Sequence, residues 1–398
     1  MKIGILTFHT PYNFGANLQA YASSHFFESL GHNVKIINYL IDGIIPEVKE
    51  GTQKYAHWNF SQNVLKVTRP CFTGKDIYDV VKEEQFNLVI VGSDAVWSKK
   101  NIEHLKVFYA DWLWGTDLEG KVKVVAMSPA FMGKDYKNLT PENKKAFKDS
   151  LERFVYINTR DEWTRFVVNR DIMGYNFIKK INPDPVFLLD RFVEVKWQHP
   201  TEIEAKKYII VSLPVHPFNN ICFIRDFREN WMKRFTDLAH NNGLKVIELP
   251  LPSQPSGFKF DYIVPYPIDP LQWYLWLKNS AGFFGYRFHA IVACISSGTP
   301  FLSIDSYGNR NALTRILSAL GIHRYDAQLN RSSKIRNLLE GSGLENQRFN
   351  TTETSFISPE LIIDKLLHFD MSLLRNFQKE QEHKFETNMN EMLRFLNQ

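Results

Sequence analysis

Cysteine is scarce in this chain, and the three cysteines lie far apart at positions 71, 222 and 294. No Cys-x-x-Cys pair and no Cys/His cluster occurs, which argues against a disulfide framework and against a structural zinc site. Carboxylates with the spacing of metal ligands are also missing. We therefore expect chemistry that needs no metal.

Long hydrophobic runs and concentrated charge are missing too. No apolar stretch approaches the roughly 18 residues that indicate a membrane-spanning helix, and the first residues lead into a short strand rather than a signal-peptide core. The net charge of +5 is spread along the chain, without the basic stripe of a nucleic-acid-binding protein. We expect a soluble, cytoplasmic protein with no nucleic-acid partner and at most peripheral membrane contact.

Strands and helices alternate along the first half of the chain. A helix is predicted at residues 16–30, and strands are predicted at residues 2–8, 34–39, 87–92, 122–127, 154–158 and 184–190. The loop after the first strand is not Gly-x-Gly-x-x-Gly, so the dinucleotide fingerprint is absent. Residues 42–73 show no clear period and are interpreted as an irregular insertion or a flap.

The alternation restarts after residues 191–207, a charged stretch without a clear pattern that we interpret as a domain boundary. Strands are predicted at residues 208–213, 244–249 and 261–265, and helices at 221–241, 270–279, 311–320 and 373–397. This predicts an α/β protein with two Rossmann-like doubly wound domains, 1–195 and 205–360, facing a cleft as in the GT-B fold. The terminal helix, 372–398, is expected to cross back and pack on the first domain.

Residues 285–305 predict a strand end, a tight turn, a helix over 290–297 and a further strand over 299–304. Arg287 and His289 fall in the first helical turn, beyond the carboxyl edge of the strands, where open α/β sheets bind ligands. Unsatisfied helix N–H groups beside a guanidinium favour an anion. A histidine two residues further on adds a group that titrates near neutral pH. The alternative is a surface arginine and a structural histidine.

Other candidate residues lie on loops at predicted carboxyl edges, and each has a structural alternative. Asn13 and Gly15 are candidates to contact a phosphate, with the alternative that Gly15 simply provides a turn. Ser93 and Asp94 either bind acceptor hydroxyls or cap a helix. Asp161 is expected to cap a helix or orient Arg160 rather than act as a base. Two loop histidines, His9 and His216, are expected to be structural. Trp97, at a strand edge, is the one tryptophan kept as a candidate platform for a sugar ring rather than assigned to the core.

Five motifs give the chain a resemblance to the polysaccharide pyruvyl transferase family. They are NFGANLQAYA (13–22), VGSDAVW (91–97), NTRDEWT (158–164), DPVFLL (184–189) and GYRFHAIVACISSGTPFLSI (285–304). Their order and spacing extend over nearly the whole chain, which makes chance a poor explanation.

The resemblance implies a GT-B-like fold and transfer of the enolpyruvyl unit of phosphoenolpyruvate to a sugar. The product would be a pyruvate ketal on a cell-surface glycan or its lipid-linked precursor, formed without a cofactor. The resemblance also implies donor binding by Arg160, Arg287 and His289. Two arginines suit a donor with a carboxylate and a phosphate, and His289 fits the acid that protonates C3 of the donor.

Two other functions stay open at this point. A GT-B glycosyltransferase would use the same arginines to hold the diphosphate of a nucleotide sugar. A catalytically silent anion-binding protein of a glycan operon would keep ligand binding and lose turnover.

Overall fold

The structure is a computed structural model that describes residues 1–10, 12–98, 102–131, 135–213, 225–250, 256–305, 333–350 and 357–396. The chain divides into two compact units. The first unit comprises Met1–Phe192 together with Glu380–Gln398, and the second comprises Val193–Lys379.

The first unit is built on a five-stranded parallel sheet with the strand order β2-β1-β3-β4-β5. Its strands are β1 Lys2–Leu6, β2 Asn33–Ile36, β3 Leu88–Val91, β4 Lys123–Ala126 and β5 Tyr156–Ile157. The β3 sequence, LVIV, is buried throughout, as expected for a strand covered on both faces. The strand order reverses between β1 and β3, and such a switch point opens a crevice at the carboxyl edge of a sheet.

The helices of the first unit connect and cover these strands. They are α1 Phe14–Ser29, α2 Gln53–Asn59, α3 Gly74–Glu84, α4 Ile102–Phe108, α5 Pro141–Leu151 and α6 Glu162–Phe166. Short 3₁₀ helices lie at Asp135–Asn138 and Pro185–Arg191, and π-helical turns at Phe60–Val64 and Val167–Met173. In α1, 13 of 16 residues are buried, so this helix is surrounded by protein on nearly all sides.

Two predictions for the first unit are wrong. Residues 184–190 form no strand, because Asp184 caps a 3₁₀ helix with Pro185 at its first position. A short apolar run has no period that separates a strand from a buried helix, and the Asp-Pro start was the better signal. Part of the 42–73 segment is regular rather than irregular, since Thr52 caps α2 and α2 continues into the π-helical turn.

The second unit contains a six-stranded parallel sheet with the order β11-β10-β9-β6-β7-β8. Its strands are β6 Tyr208–Ser212, β7 Lys245–Glu248, β8 Tyr262–Ile263, β9 Gly282–Gly285, β10 Phe301–Asp305 and β11 Arg348–Asn350. The order reverses between β6 and β9, where Ser212 pairs in register with Gly285. The two parallel sheets confirm the predicted α/β class with two Rossmann-like units.

The described helices of the second unit are α7 Arg225–Asn241, α8 Pro270–Lys278, α9 Phe288–Ser296, α10 Lys334–Leu339 and α11 Pro359–Leu367, with a 3₁₀ turn at Glu345–Gln347. Asp269 caps α8 and Pro270 takes its first position, as predicted. Trp231 and Phe235 of α7 pack with Phe284 of β9 in the core of this unit. The predicted helix at 311–320 lies outside the described residues.

The last helix, α12 Met371–Leu396, begins in the second unit and ends in the first. All six apolar positions that predicted it are buried: Leu374, Phe377, Phe385, Met389, Met392 and Leu396. Phe385 packs edge-on against Phe26 of α1, with ring centroids 5.1 Å apart, and Arg191 forms ion pairs with Glu382 and Glu386. Among the helices that the structure describes, none combines the length and apolarity needed to cross a bilayer.

Candidate active site

A tight turn follows β3 at the switch point of the first sheet. Gly92 has a φ of +113°, and a Cβ atom there would lie 2.2 Å from the Met127 carbonyl oxygen, so only glycine fits. Asp94 follows with a φ of +71°, and its Oδ1 accepts a hydrogen bond of 2.7 Å from the Ala95 amide. The Thr7 hydroxyl donates to the Ser93 carbonyl oxygen at 3.1 Å, which ties the end of β1 to this turn.

Arg160 lies in a buried cluster of carboxylates beside the same turn. Its side chain is 2% exposed, and its Nη1 lies 3.1 Å from Asp184 Oδ2 and 3.6 Å from Asp94 Oδ1. Burial alone would lower the pKa of Arg160, but the carboxylates of Asp184, Asp94 and Asp161 more than offset that effect, so its pKa is raised. The guanidinium therefore stays charged and is held by carboxylates.

The structure tests the helix-capping alternative for Asp161 and for the pair Ser93 and Asp94. Asp161 caps α6 by accepting a hydrogen bond of 2.7 Å from the Thr164 amide, which confirms the predicted cap. Ser93 and Asp94 cap no helix, because residues 95–98, which follow them directly, form turns and bends. The capping alternative for this pair is wrong, and Asp94 instead faces Arg160.

Asn13 and Gly15 lie at the start of α1. Asn13 is the N-cap, and its Oδ1 accepts a hydrogen bond of 3.0 Å from the Gly15 amide. Gly15 belongs to the first helical turn and has no positive φ, so the alternative that it forms a loop turn is wrong. Contact of either residue with a phosphate stays a prediction.

A buried hydrogen-bond network holds the loop between β1 and α1. His9 is 1% exposed, its Nε2 lies 3.0 Å from Asn38 Oδ1, and Asn17 Nδ2 donates to the His9 carbonyl oxygen at 2.7 Å. Burial lowers the pKa of His9. These contacts confirm the expectation that His9 is structural, whereas His216 lies outside the described residues. Trp97 is fully buried and is part of the core, so the prediction that it offers a platform for a sugar ring is wrong.

His57 is a member of this network that the sequence did not indicate. It lies on α2, its Nδ1 hydrogen-bonds to Asn17 Oδ1, and its ring packs 4.6 Å from that of Phe14. Burial lowers its pKa to about 4. The surrounding sequence has no period, so only the fold reveals that this histidine is buried.

The second predicted motif lies at the switch point of the second sheet, between β6 and β9. A Cβ atom on Gly285 would lie 2.7 Å from the Ser212 carbonyl oxygen and 2.5 Å from the Phe283 ring, so glycine lets β9 end close against β6. Two residues later, Arg287 takes the N-cap position of α9 with extended φ and ψ of −91° and 128°. Its side chain is exposed, and its guanidinium carbon lies 5.0 Å from the centroid of the Tyr286 ring.

The N-terminus of α9 differs from the other described helix starts. A side-chain oxygen accepts a hydrogen bond from a first-turn amide in α1, α2, α3, α5, α6, α8, α10, α11 and α12. At α9 the N-cap residue Arg287 makes no side-chain cap hydrogen bond, and the first turn contains no acidic residue. The positive end of the helix dipole and the Arg287 guanidinium both favour an anion at this position. The half-buried His289 lies in the same turn, with its ring 5.2 Å from that of Phe288.

The predicted site residues thus form two groups, one in each unit. The structure brings Asp94 to Arg160 and Asn13 to Gly15 in the first unit, and it places Arg287 and His289 in one helical turn of the second. Among the described residues, no group of three or more His, Cys, Asp or Glu side chains has an arrangement that could hold a metal ion.

Comparisons with known proteins add two findings. A family model described as polysaccharide pyruvyl transferase matches residues 13–307, a range that includes the turn after β3 and the start of α9. No curated protein matches the chain.

Solved structures resemble the chain in fold at low identity. A putative UDP-N-acetylglucosamine 2-epimerase from Listeria monocytogenes is 10% identical, with a TM-score of 0.53 over 96% of this chain and 90% of that chain. The glycosyltransferase VinC, solved in complex with dTDP, is 13% identical, with a TM-score of 0.49 and full coverage of both chains. The fold of this chain is GT-B-like, with two parallel-sheet units.

Proposed function

Because the chain belongs to the polysaccharide pyruvyl transferase family, we propose that it transfers the pyruvyl group of phosphoenolpyruvate to two hydroxyls of a sugar. The sugar belongs to a cell-surface polysaccharide or to its lipid-linked precursor, and the products are a pyruvate ketal and inorganic phosphate. One observation carries the donor assignment: Arg287 takes the N-cap position of α9, at the positive end of the helix dipole, with His289 in the same turn.

The negative charge of the donor complements the positive charge at the start of α9. Phosphoenolpyruvate has a carboxylate and a phosphate, and a guanidinium fork binds either group through two parallel hydrogen bonds. The positive end of the α9 dipole adds to this attraction, and the first turn of the helix contains no acidic residue. We assign the donor to Arg287 at the N-terminus of α9.

His289 is the proposed general acid. In the proposed reaction an acceptor hydroxyl adds to C2 of the donor while a proton from His289 is delivered to C3, which becomes a methyl group. Phosphate then leaves C2, and a second hydroxyl of the sugar closes the ketal. Of the two hydroxyl protons released, one restores the acid and the other leaves with phosphate, so the step needs neither an electron carrier nor a cofactor.

Arg160 receives a different role in this proposal. An anion beside its guanidinium would also meet the carboxylates of Asp184 and Asp94, and like charges at that distance oppose binding. We therefore assign Arg160 to positioning the turn that carries Ser93 and Asp94. Direct contact between Arg160 and the donor, as the family resemblance implies, is the alternative.

The location of the reaction follows from its donor. Phosphoenolpyruvate is an intermediate of cytoplasmic sugar metabolism, so we propose that the protein acts in the cytoplasm. A lipid-linked acceptor would then bring it to the membrane surface as a peripheral partner.

Binding of phosphoenolpyruvate tests the donor site directly. Replacing Arg287 by Ala should weaken donor binding about ten- to a hundredfold, because it removes one charge-assisted contact of about 1.5–3 kcal/mol. Titration calorimetry of the wild type and of Arg287→Ala measures this loss. Arg234→Ala is the matched control, because Arg234 is also exposed in the second unit and pairs with Glu360 on the surface.

The control variant should bind the donor as the wild type does. Equal donor affinity in Arg287→Ala and the wild type would show that the donor binds elsewhere. A protein that binds UDP but not phosphoenolpyruvate would contradict the proposed donor altogether.

A further inference from the structure

A cavity of about 520 Å³ lies in the first unit, apart from the turn that holds Arg160. Its walls are the segment after β2, the start of α3, and α4 with the loop that follows it. The volume falls within the roughly 300–1,000 Å³ typical of small-molecule sites. Neither the candidate donor site nor the buried network of the first sheet uses any of the residues that line it.

The charges around this cavity exclude a strongly anionic ligand. The two lysines among the described residues of its wall have carboxylate partners, since Lys106 lies 3.0 Å from Glu103 and Lys75 pairs with Asp79. No arginine lines the cavity in the part of the chain that the structure describes. Phosphate groups bind where arginines, lysines or bare helix starts offer free positive charge, and the start of α3 is closed by a capping box.

Two further carboxylates lie in the wall of the cavity. Asp42 and Asp111 are exposed, and within the described residues neither forms an ion pair. An ionised carboxylate only accepts hydrogen bonds, so these two side chains are suited to a ligand rich in hydroxyl donors.

Three aromatic residues also line the cavity. Tyr39, Phe72 and Trp112 contribute to the wall, and aromatic rings offer flat apolar surface with defined geometry. Burial and the charge of Glu103 raise the pKa of Tyr39 to about 12, so its hydroxyl stays protonated and can donate. Apolar ring surface beside hydroxyl acceptors matches a sugar, which has C–H faces and a rim of hydroxyls.

We propose that this cavity binds a neutral saccharide unit of the acceptor glycan, with Asp42 and Asp111 accepting hydrogen bonds from its hydroxyls and Trp112 contacting its apolar face. The statement that this saccharide is the acceptor rests on the proposed function, whereas the binding of a saccharide in this cavity does not. The cavity is thus a specificity subsite, separate from the helix start that we assign to the donor.

Binding of simple sugars in the absence of phosphoenolpyruvate tests this inference. The probes are methyl glycosides of galactose, glucose, mannose, N-acetylglucosamine and N-acetylmannosamine, titrated by saturation-transfer NMR. At least one should bind the wild type, and Asp42→Asn and Asp111→Asn should each weaken it about tenfold. Asp149→Asn is the control, because Asp149 is also a surface carboxylate of the first unit but lies outside the cavity.

Thermal melting of every variant checks that it is folded. Each binding result then either supports or contradicts the saccharide assignment. The control should bind within about twofold of the wild type. Failure of all five glycosides to bind, equal binding in both cavity variants, or displacement of the bound glycoside by inorganic phosphate would overturn the saccharide assignment. The assay uses no donor, so its failure would leave the donor experiment with Arg287 unaffected, and the reverse holds as well.

Discussion

Two arginines in this chain illustrate how burial decides what a guanidinium does. Arg287 is exposed at a helix start, whereas Arg160 has a side chain that is 2% exposed and two carboxylates within 3.6 Å. An exposed guanidinium can exchange water for a ligand at small cost. A buried guanidinium neutralises the carboxylates around it, so its removal leaves those carboxylates to repel each other.

Removal of Arg160 should therefore affect stability first. In Arg160→Ala the carboxylates of Asp184 and Asp94 stay buried without their cation, which typically costs about 3–5 kcal/mol. Urea unfolding monitored by tryptophan fluorescence measures this loss. The matched control is Arg165→Ala, because Arg165 pairs with Glu162 on the surface and such pairs contribute about 0–1 kcal/mol. Equal stability of the two variants would contradict the positioning role.

His57 predicts how stability depends on pH. Its pKa is about 4 in the folded protein and 6.5 in its ordinary state, so the unfolded chain binds the proton more readily. The stabilisation is complete above pH 6.5 and is lost as the pH falls from 6.5 towards 4. At pH 5 this histidine should lower the free energy of unfolding by about 2 kcal/mol relative to neutral pH.

The measurement compares urea unfolding at neutral pH and at pH 5. His57→Gln should lose less stability over this interval than the wild type, by about 2 kcal/mol. His383→Gln, at an exposed position of α12, should lose as much as the wild type does. An identical pH dependence in all three proteins would mean that His57 is protonated in the folded state.

At the scale of secondary structure, α12 packs on the first unit through one apolar stripe. Phe385 is fully buried against Phe26, and Phe→Ala at such a position costs about 3–5 kcal/mol. Phe395 lies on the same helix and is 53% exposed, so Phe395→Ala should cost less than about 1 kcal/mol. Chemical denaturation of both variants measures the difference, and a mild effect of Phe385→Ala would mean that the helix is not anchored there.

Elements with a clear period could be predicted from the sequence. The strands at the centre of both sheets are continuous apolar runs with glycine or polar ends, and α8 carries its own start signal in Asp269 and Pro270. Short elements without a period could not be predicted, among them α4 and the 3₁₀ helix after Asp184. Their conformation depends on tertiary packing, which a local pattern does not contain.

The chemistry of the site could be predicted only in part, because some of its groups are neighbours in the sequence and others meet only through the fold. The sequence placed Arg287 and His289 at a helix start, and the structure has them at the start of α9. The carboxylates around Arg160 come from the turn after β3 and from the segment before the 3₁₀ helix, which are distant in sequence. Only the fold shows that these charges meet, and it changes the role that we assign to Arg160.

For the whole molecule, the family and the fold together define the central claim. Each unit presents a switch point at the carboxyl edge of a parallel sheet, and the residues matched by the family model include the turn after β3 and the start of α9. The claim is that the chain converts phosphoenolpyruvate and a sugar diol to a pyruvate ketal, with His289 as the acid.

Turnover with and without His289 tests this claim most directly. The wild type is incubated with phosphoenolpyruvate and a panel of lipid-linked glycans, and released phosphate is compared with the ketal detected by mass spectrometry. The two products should form in equal amounts, and the rate should fall as rising pH deprotonates the acid. His289→Asn should keep the fold and most donor affinity, lose that pH dependence, and turn over about a hundredfold or more slowly. Near wild-type turnover by His289→Asn, or phosphate release without a ketal, would contradict the account.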